Sequence, residues 1–249
     1  MAAAPPAGQP DYGLDSPILA RSMFSRGGWT LAAGLAVWFV NRTEYPGPAA
    51  ALFGVLAAIA LVFFGIGGFM IWSSRVGKLR LRDRLLDALE FAGNEKILDA
   101  GCGRGLMTIG AAKRLKSGRV TGVDVWNPQD LSGNSIDAAK ANARIEGIAD
   151  RVRFETCDLR KLMFPDNNFD VAVSFAVIHH LPESDWQDQA VREMYRVLRP
   201  GGRILIFDTF HTGRYAEVLR ERGAADIALS PWNLLWCAPS RSVTGRKPS

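Results

Sequence analysis

The stretch that most limits what this chain can become is Ile97-Leu98-Asp99-Ala100-Gly101-Cys102-Gly103-Arg104-Gly105. A short apolar run ends in an acid, a glycine-rich turn follows at once, and residues 106–115 read as a helix. Strand, glycine turn and helix in that order build a ligand site at the edge of an open α/β sheet. The glycines reach positive φ and let a ligand approach the backbone, while the helix start presents unpaired N–H groups. The glycine spacing then sorts the ligands. A dinucleotide site needs G-x-G-x-x-G, with a pyrophosphate facing the helix dipole. Here the glycines fall at 101, 103 and 105, and the remaining required position is Leu106. Asp99, just before the turn, repels phosphate and suits an ammonium group. An NAD(P)-dependent oxidoreductase is therefore disfavoured.

Further residues follow at matching distances. A second strand, 119–124, also ends in an acid, Asp124, about twenty residues beyond the turn. A third, 152–156, runs into Cys157-Asp158-Leu159, and a fourth, 169–174, ends at Ser174. Together these resemble the motifs of the class I S-adenosylmethionine-dependent methyltransferases. The run Val197-Leu198-Arg199-Pro200-Gly201-Gly202 resembles that family's turn before the fifth strand, and the likeness covers about 79–238. It implies an α/β fold, a doubly wound and mostly parallel seven-stranded Rossmann-like sheet, with 225–229 and 234–238 as the closing strands.

The resemblance also implies S-adenosylmethionine as cofactor. Asp99 would lie near its methionine part, with the backbone of Gly101, Cys102, Gly103 and Gly105 packed against it. Asp124 would accept both ribose hydroxyls, Val125 and Trp126 would face the adenine, and Asp158 with Leu159 would read its edge. Ser174 would close the methyl end. Trp126 reads equally as a core aromatic, and Asp158 equally as a cap for the next turn.

Past the fourth strand come His179 and His180, at the carboxyl edge of the sheet where ligands bind. Imidazole titrates near neutral pH, so either is a candidate general base; the alternative is that one caps the coming helix and the other packs on it. Two adjacent histidines without a third ligand are not a metal site. The Asn-Pro-Pro-Tyr pattern of nucleic-acid amino-group methyltransferases is absent. The expected acceptor is thus a small molecule rather than nucleic acid, lipophilic in the manner of the quinone and lipid-precursor members.

Charge and hydrophobicity are unevenly placed, which matters for the amino-terminal third. Residues 1–74 balance to zero, Arg75, Lys78, Arg80, Arg82 and Arg84 against Asp83 give +4, and the remainder adds +1 to the total of +5. No basic face spreads over the domain. Two uncharged runs precede the basic stretch, and they read as membrane spans at 22–41 and 49–72 joined by a polar turn. The competing reading is a buried soluble hairpin. The expected organisation is a disordered stretch at 1–15, an integral membrane anchor at 16–74, and a basic collar at 75–84. A methyltransferase domain at 85–239 then lies on the cytoplasmic side, followed by a basic tail at 240–249. Three cysteines without metal spacing or an even count suit a reducing compartment. A catalytically inactive membrane module with the same fold is the remaining alternative.

Overall fold

The computed structural model describes residues 8–249, so the part of the expected disordered stretch at 1–7 lies outside it. Two long helices come first, α1 (Pro17–Asn41) and α2 (Pro46–Trp72), folded back on each other as a hairpin. Small residues set their approach: Gly27 faces the ring of Phe64, Gly34 faces Phe53 and Leu56, and Gly67 faces Phe24. Gly54, Gly65 and Gly68 have no such neighbour. The outward faces are apolar, with Trp29, Phe39, Val40, Leu61 and Val62 all exposed. A π-helical turn, Ser73–Gly77, carries α2 without a break into α3 (Lys78–Asp87). The continuous helix Pro46–Asp87 is long and apolar enough, by length and composition, to cross a bilayer.

The rest is a seven-stranded sheet with helices on both faces. In chain order the elements are β1 (Lys96–Ala100), α4 (Leu106–Ala112), β2 (Arg119–Asp124), α5 (Ile136–Ile145), β3 (Val152–Thr156), β4 (Phe169–Phe175), α6 (Ser184–Arg196), β5 (Leu198–Asp208), α7 (Thr212–Glu221), β6 (Ala225–Leu229) and β7 (Arg241–Arg246). The strand order is β3-β2-β1-β4-β5-β7-β6, and only β7 runs antiparallel to its neighbours. The chain winds outward in both directions from β1 and β4, so the crevice at their carboxyl ends is the ligand position of this architecture. Both sheet faces are covered, and the period of two divides each strand between two cores. Ile97, Val171 and Val173 pack with Leu86, Met107 and Ile109, whereas Leu98 and Ala172 pack with Val191, Met194 and Val218.

Several expectations from sequence are corrected here. The closing antiparallel strand is Arg241–Arg246, not 234–238, so the domain includes most of what read as a basic tail. Val243 is the only large apolar side chain in it, too weak a pattern to read as a central strand. Residues 8–15 are ordered against the domain: Asn142 exchanges hydrogen bonds with both backbone groups of Asp11, and Tyr12 is buried. The basic collar is not all solvent-facing, because Lys78 and Arg82 are buried while Arg75, Arg80 and Arg84 are exposed. Ser184 is the first residue of α6 and makes no cap hydrogen bond, and the Gln187 side chain donates to the Leu181 carbonyl (2.8 Å).

The π turn brings the foot of α2 against the loop before β7. Ser73 Oγ donates to the Leu235 carbonyl (3.1 Å), and any Cβ on Gly77 would overlap that same oxygen. Gly77→Ala should therefore destabilise the chain by ~1–3 kcal/mol through overpacking against backbone, read as a lower unfolding midpoint in detergent. An unchanged midpoint would mean that this junction is loose.

Candidate functional site

The glycine turn is built so that backbone, not side chains, faces the cavity. Gly101, Gly103 and Gly105 all take positive φ (78°, 50° and 87°). A Cβ on Gly101 would run into Val177, so the turn and the loop after β4 touch only because no side chain intervenes. The N–H groups of Gly101 and Cys102 donate to the Val123 carbonyl, which ties the turn to the end of β2. The cavity of about 230 Å³ opens at this edge.

Two carboxylates meet there. Asp99 is fully buried; its Oδ2 accepts from the backbone N–H (2.7 Å) and the hydroxyl (2.6 Å) of Thr108. Its Oδ1 is buried at the cavity edge with no donor among the described residues. Burial pushes this carboxyl up to about 7, against the two Thr108 hydrogen bonds and with a smaller contribution from the Asp124 charge. Asp124 accepts from the Gly103 N–H (2.8 Å) on one oxygen, and from the Trp126 N–H (2.6 Å) and Asn134 Nδ2 (3.3 Å) on the other. Burial again outweighs these donors and raises its pKa. A carboxylate offers about four lone-pair sites, so Asp124 retains capacity for hydroxyl donors.

At one end of the cavity lie Val125, Asp158 and Leu159. Asp158 is gripped by the Arg160 guanidinium (2.6–3.0 Å), which holds it below the usual carboxylate range; Arg160 in turn lies over the Trp186 ring. At the other end Phe175, Trp236, His179 and His180 form an aromatic wall. His179 Nδ1 meets Asp208 Oδ1 at 2.5 Å, and Asp208 is fully buried at the end of β5. The Thr209 N–H (2.8 Å) and the His179 N–H (3.2 Å) also donate to Asp208, so the carboxylate is locked before it orients the ring. Burial, then the neighbouring His179, moves His180 below its ordinary value.

A strap crosses the opening. Tyr12, Asp15 and Ser16 line the cavity, and buried Lys78 holds them by donating to the Tyr12 (2.9 Å) and Gly13 (2.7 Å) carbonyls and pairing with Asp15 (3.3 Å). Arg104, inside the glycine turn, pairs with Asp11 (2.9 Å).

Of the residues expected from sequence, Asp99, Gly101, Cys102, Gly103, Asp124, Val125, Asp158, Leu159, His179 and His180 border this cavity. Trp126, Gly105 and Ser174 do not. The Trp126 indole turns away to donate to Thr156 Oγ1 (2.8 Å), leaving its backbone N–H to hold Asp124. Gly105 is the left-handed cap of α4, packed near Ile109 and Phe154. Ser174 Oγ donates to the Ala100 carbonyl (2.8 Å), tying β4 to β1 beneath the cavity. Asp208, Trp236, Lys78, Tyr12 and Asp15 were not anticipated. Asp208 did carry a signal, since a third strand ends in an acid; the others are brought in by contacts distant in sequence.

Residues 97–202 match the family model described as a methyltransferase domain. Over 139 residues the chain is 34% identical to methyltransferase GfsG of Streptomyces halstedii, covering 56% of this chain and 46% of that protein. It is 33% identical over 129 residues to the demethylmenaquinone methyltransferase of Lactiplantibacillus plantarum, covering 51% of each. The chain spans about half the length of the curated relatives it matches. The fold is shared with the Burkholderia thailandensis 1,6-didemethyltoxoflavin-N1-methyltransferase, solved with its substrate and S-adenosylhomocysteine. Here the TM-score is 0.54 at 23% identity, over 72% of this chain and 81% of that one. Residues 97–202 thus match a methyltransferase domain, and solved structures that share its fold hold S-adenosylmethionine or S-adenosylhomocysteine.

The residues present fit that cofactor. An orphaned buried carboxylate oxygen at Asp99 meets the need of an ammonium, and Asp124 that of vicinal hydroxyls. Two outcomes follow. Asp124→Ala removes charged acceptors worth ~1.5–3 kcal/mol each, so calorimetry should show at least about tenfold weaker cofactor binding; unchanged binding would remove Asp124 from the site. Because an ammonium favours the ionised form of Asp99, cofactor affinity should rise as pH increases through about 7 and then level off. Asp99→Asn should abolish that rise. Without cofactor the sign for folding is the reverse: stability falls as pH rises from 3.8 toward 7, since the folded state holds the proton longer.

Proposed function

We propose that the chain is a membrane-anchored S-adenosylmethionine-dependent methyltransferase acting on a small lipophilic acceptor, with His179 as general base. The observation that carries this reading is one cavity joining the Asp99/Asp124 pair to the His179–Asp208 pair. The cofactor, when bound, supplies an activated methyl group. The chain's own residues bind and orient. Asp208 fixes His179 with Nδ1 toward the carboxylate, which leaves Nε2 to take a proton from an acceptor hydroxyl or acidic carbon. The strap and Trp236 shield the cavity from water. Near the histidines the charged groups are Asp15, Asp130, Asp208 and Lys78, with Lys78 already occupied by the strap. Among the described residues that line the cavity, Lys78 is held by the strap and Arg104 by Asp11, which leaves neither to hold an anionic acceptor and favours a neutral, apolar one. The quinone-precursor substrate in the name of the Lactiplantibacillus relative is in keeping with this.

The anchor is the α1/α2 hairpin, whose apolar outer faces have no partner among the described residues. Both of its ends, and the domain, lie on the cytoplasmic side in this reading, with exposed Arg75, Arg80 and Arg84 next to the membrane. A reporter after Arg84 should read cytoplasmic, one inserted at Gly47 external, and carbonate washing should leave the chain in the membrane pellet. Release by carbonate would overturn the anchor.

For the chemistry, methyl-labelled cofactor should transfer label into solvent-extractable lipid of host membranes. His179→Ala and Asp208→Asn should each lower that rate, the histidine change by ~10²–10⁴-fold, with cofactor affinity retained. Near-parental rates in His179→Ala would leave positioning alone to carry the reaction.

A further inference from the structure

The loop between β6 and β7 does three things within a few residues. Leu235 gives its carbonyl to Ser73 at the foot of α2, and Cys237 packs on Ala20, Met23 and Met70 of the hairpin. Between them Trp236 turns inward, 6% exposed, to line the acceptor end of the cavity and donate to Asp15. Just before them Trp232 and Leu234 turn outward, 58% and 65% exposed. Phe210, 64% exposed, lies in the turn after β5. Arg241 joins the two turns: its guanidinium lies 4.7 Å over the Trp232 ring while its Nε donates to Thr212 Oγ1 (2.8 Å).

Trp232 and Leu234 thus stand exposed just before the residue that meets the foot of the hairpin, and Arg241 ties their turn to the one that carries exposed Phe210. Soluble surfaces carry single exposed apolar residues without consequence, but a group continuous with a larger apolar surface marks a shared environment. Near the hairpin's end Phe69 and Trp72, four residues and one residue before Ser73, are also exposed. An indole under a guanidinium is amphipathic and suits the boundary where acyl chains give way to headgroups. Arg75 and Arg241 at that level complement anionic headgroups.

We propose that the 231–234 turn and Phe210 form a second membrane contact, seated at the headgroup–acyl boundary beside the hairpin. It rests on the anchored reading of the hairpin. Its consequence is positional: the loop that touches lipid with Leu234 lines the acceptor end of the cavity with Trp236, two residues on. The acceptor end of the site, beneath Trp236 and the strap, then faces the bilayer and not bulk water.

The test uses the full chain in vesicles of phosphatidylcholine with phosphatidylglycerol. An NBD fluorophore on Leu234→Cys, and separately on Trp232→Cys should the first fold poorly, is compared with one on Ser117→Cys at the amino edge of the sheet. Signal from the labelled parent chain, in which Cys102 and Cys157 are buried and Cys237 is half-buried, is subtracted. The expected result is a blue-shifted emission at 234 or 232, quenched by lipids carrying a shallow doxyl group and shielded from aqueous iodide. Position 117 should show the opposite. If the chain remains in carbonate-washed vesicles while 234 and 232 behave like 117, the contact is overturned and the anchor stands. If the chain washes off, the anchor fails, and this contact with it.

Discussion

The structure turns on the burial of two carboxylates at the ends of adjacent parallel strands. Asp99 and Asp124 lie at the carboxyl ends of β1 and β2, beside the β1/β4 boundary where the sheet order reverses, and both are raised by loss of water. Moving Asp99 from 3.8 to about 7 corresponds to about 4 kcal/mol that a bound cation can return. A phosphate could not return it, so the acids choose the ligand class before any contact is made. Gly101 then follows as a requirement, because a Cβ there would run into Val177, and Gly103 and Gly105 supply the positive φ that the rest of the turn takes.

Around that pair, the cavity is closed by parts of the chain far apart in sequence. The strap at 11–16, Lys78 on α3 and Trp236 before β7 meet over the opening. Lys78 belongs to the helix that continues α2 through the π turn, so the apolar hairpin and the site share one rigid element. The interruption in regular α-helix falls where the helix must meet Leu235 closely, consistent with π turns gathering at functional junctions.

Much of the domain was legible in the sequence because its signals are local. Strands such as Lys96–Ala100 and Phe169–Phe175 are apolar runs ending at turns, and the glycine spacing with its preceding acid spoke for the ligand. What escaped depended on distant contacts. Arg241–Arg246 is polar in composition, and its place between β5 and β6 is set by backbone pairing. Trp126 and Val125 are neighbours in sequence, but a positive φ at Trp126 sends its indole away from the cavity. Lys78 read as one of a row of membrane-facing cations, yet two backbone carbonyls and Asp15 bury it. The His179–Asp208 pair required knowing that β4 and β5 are adjacent.

The selection of ligand by the strand-end acids is tested most directly by calorimetric titration of the full chain, in detergent near neutral pH, with S-adenosylhomocysteine and with NAD in parallel. The account predicts saturable one-to-one binding of S-adenosylhomocysteine and no heat of binding for NAD. Binding of NAD, or none of S-adenosylhomocysteine by a folded chain, would contradict it.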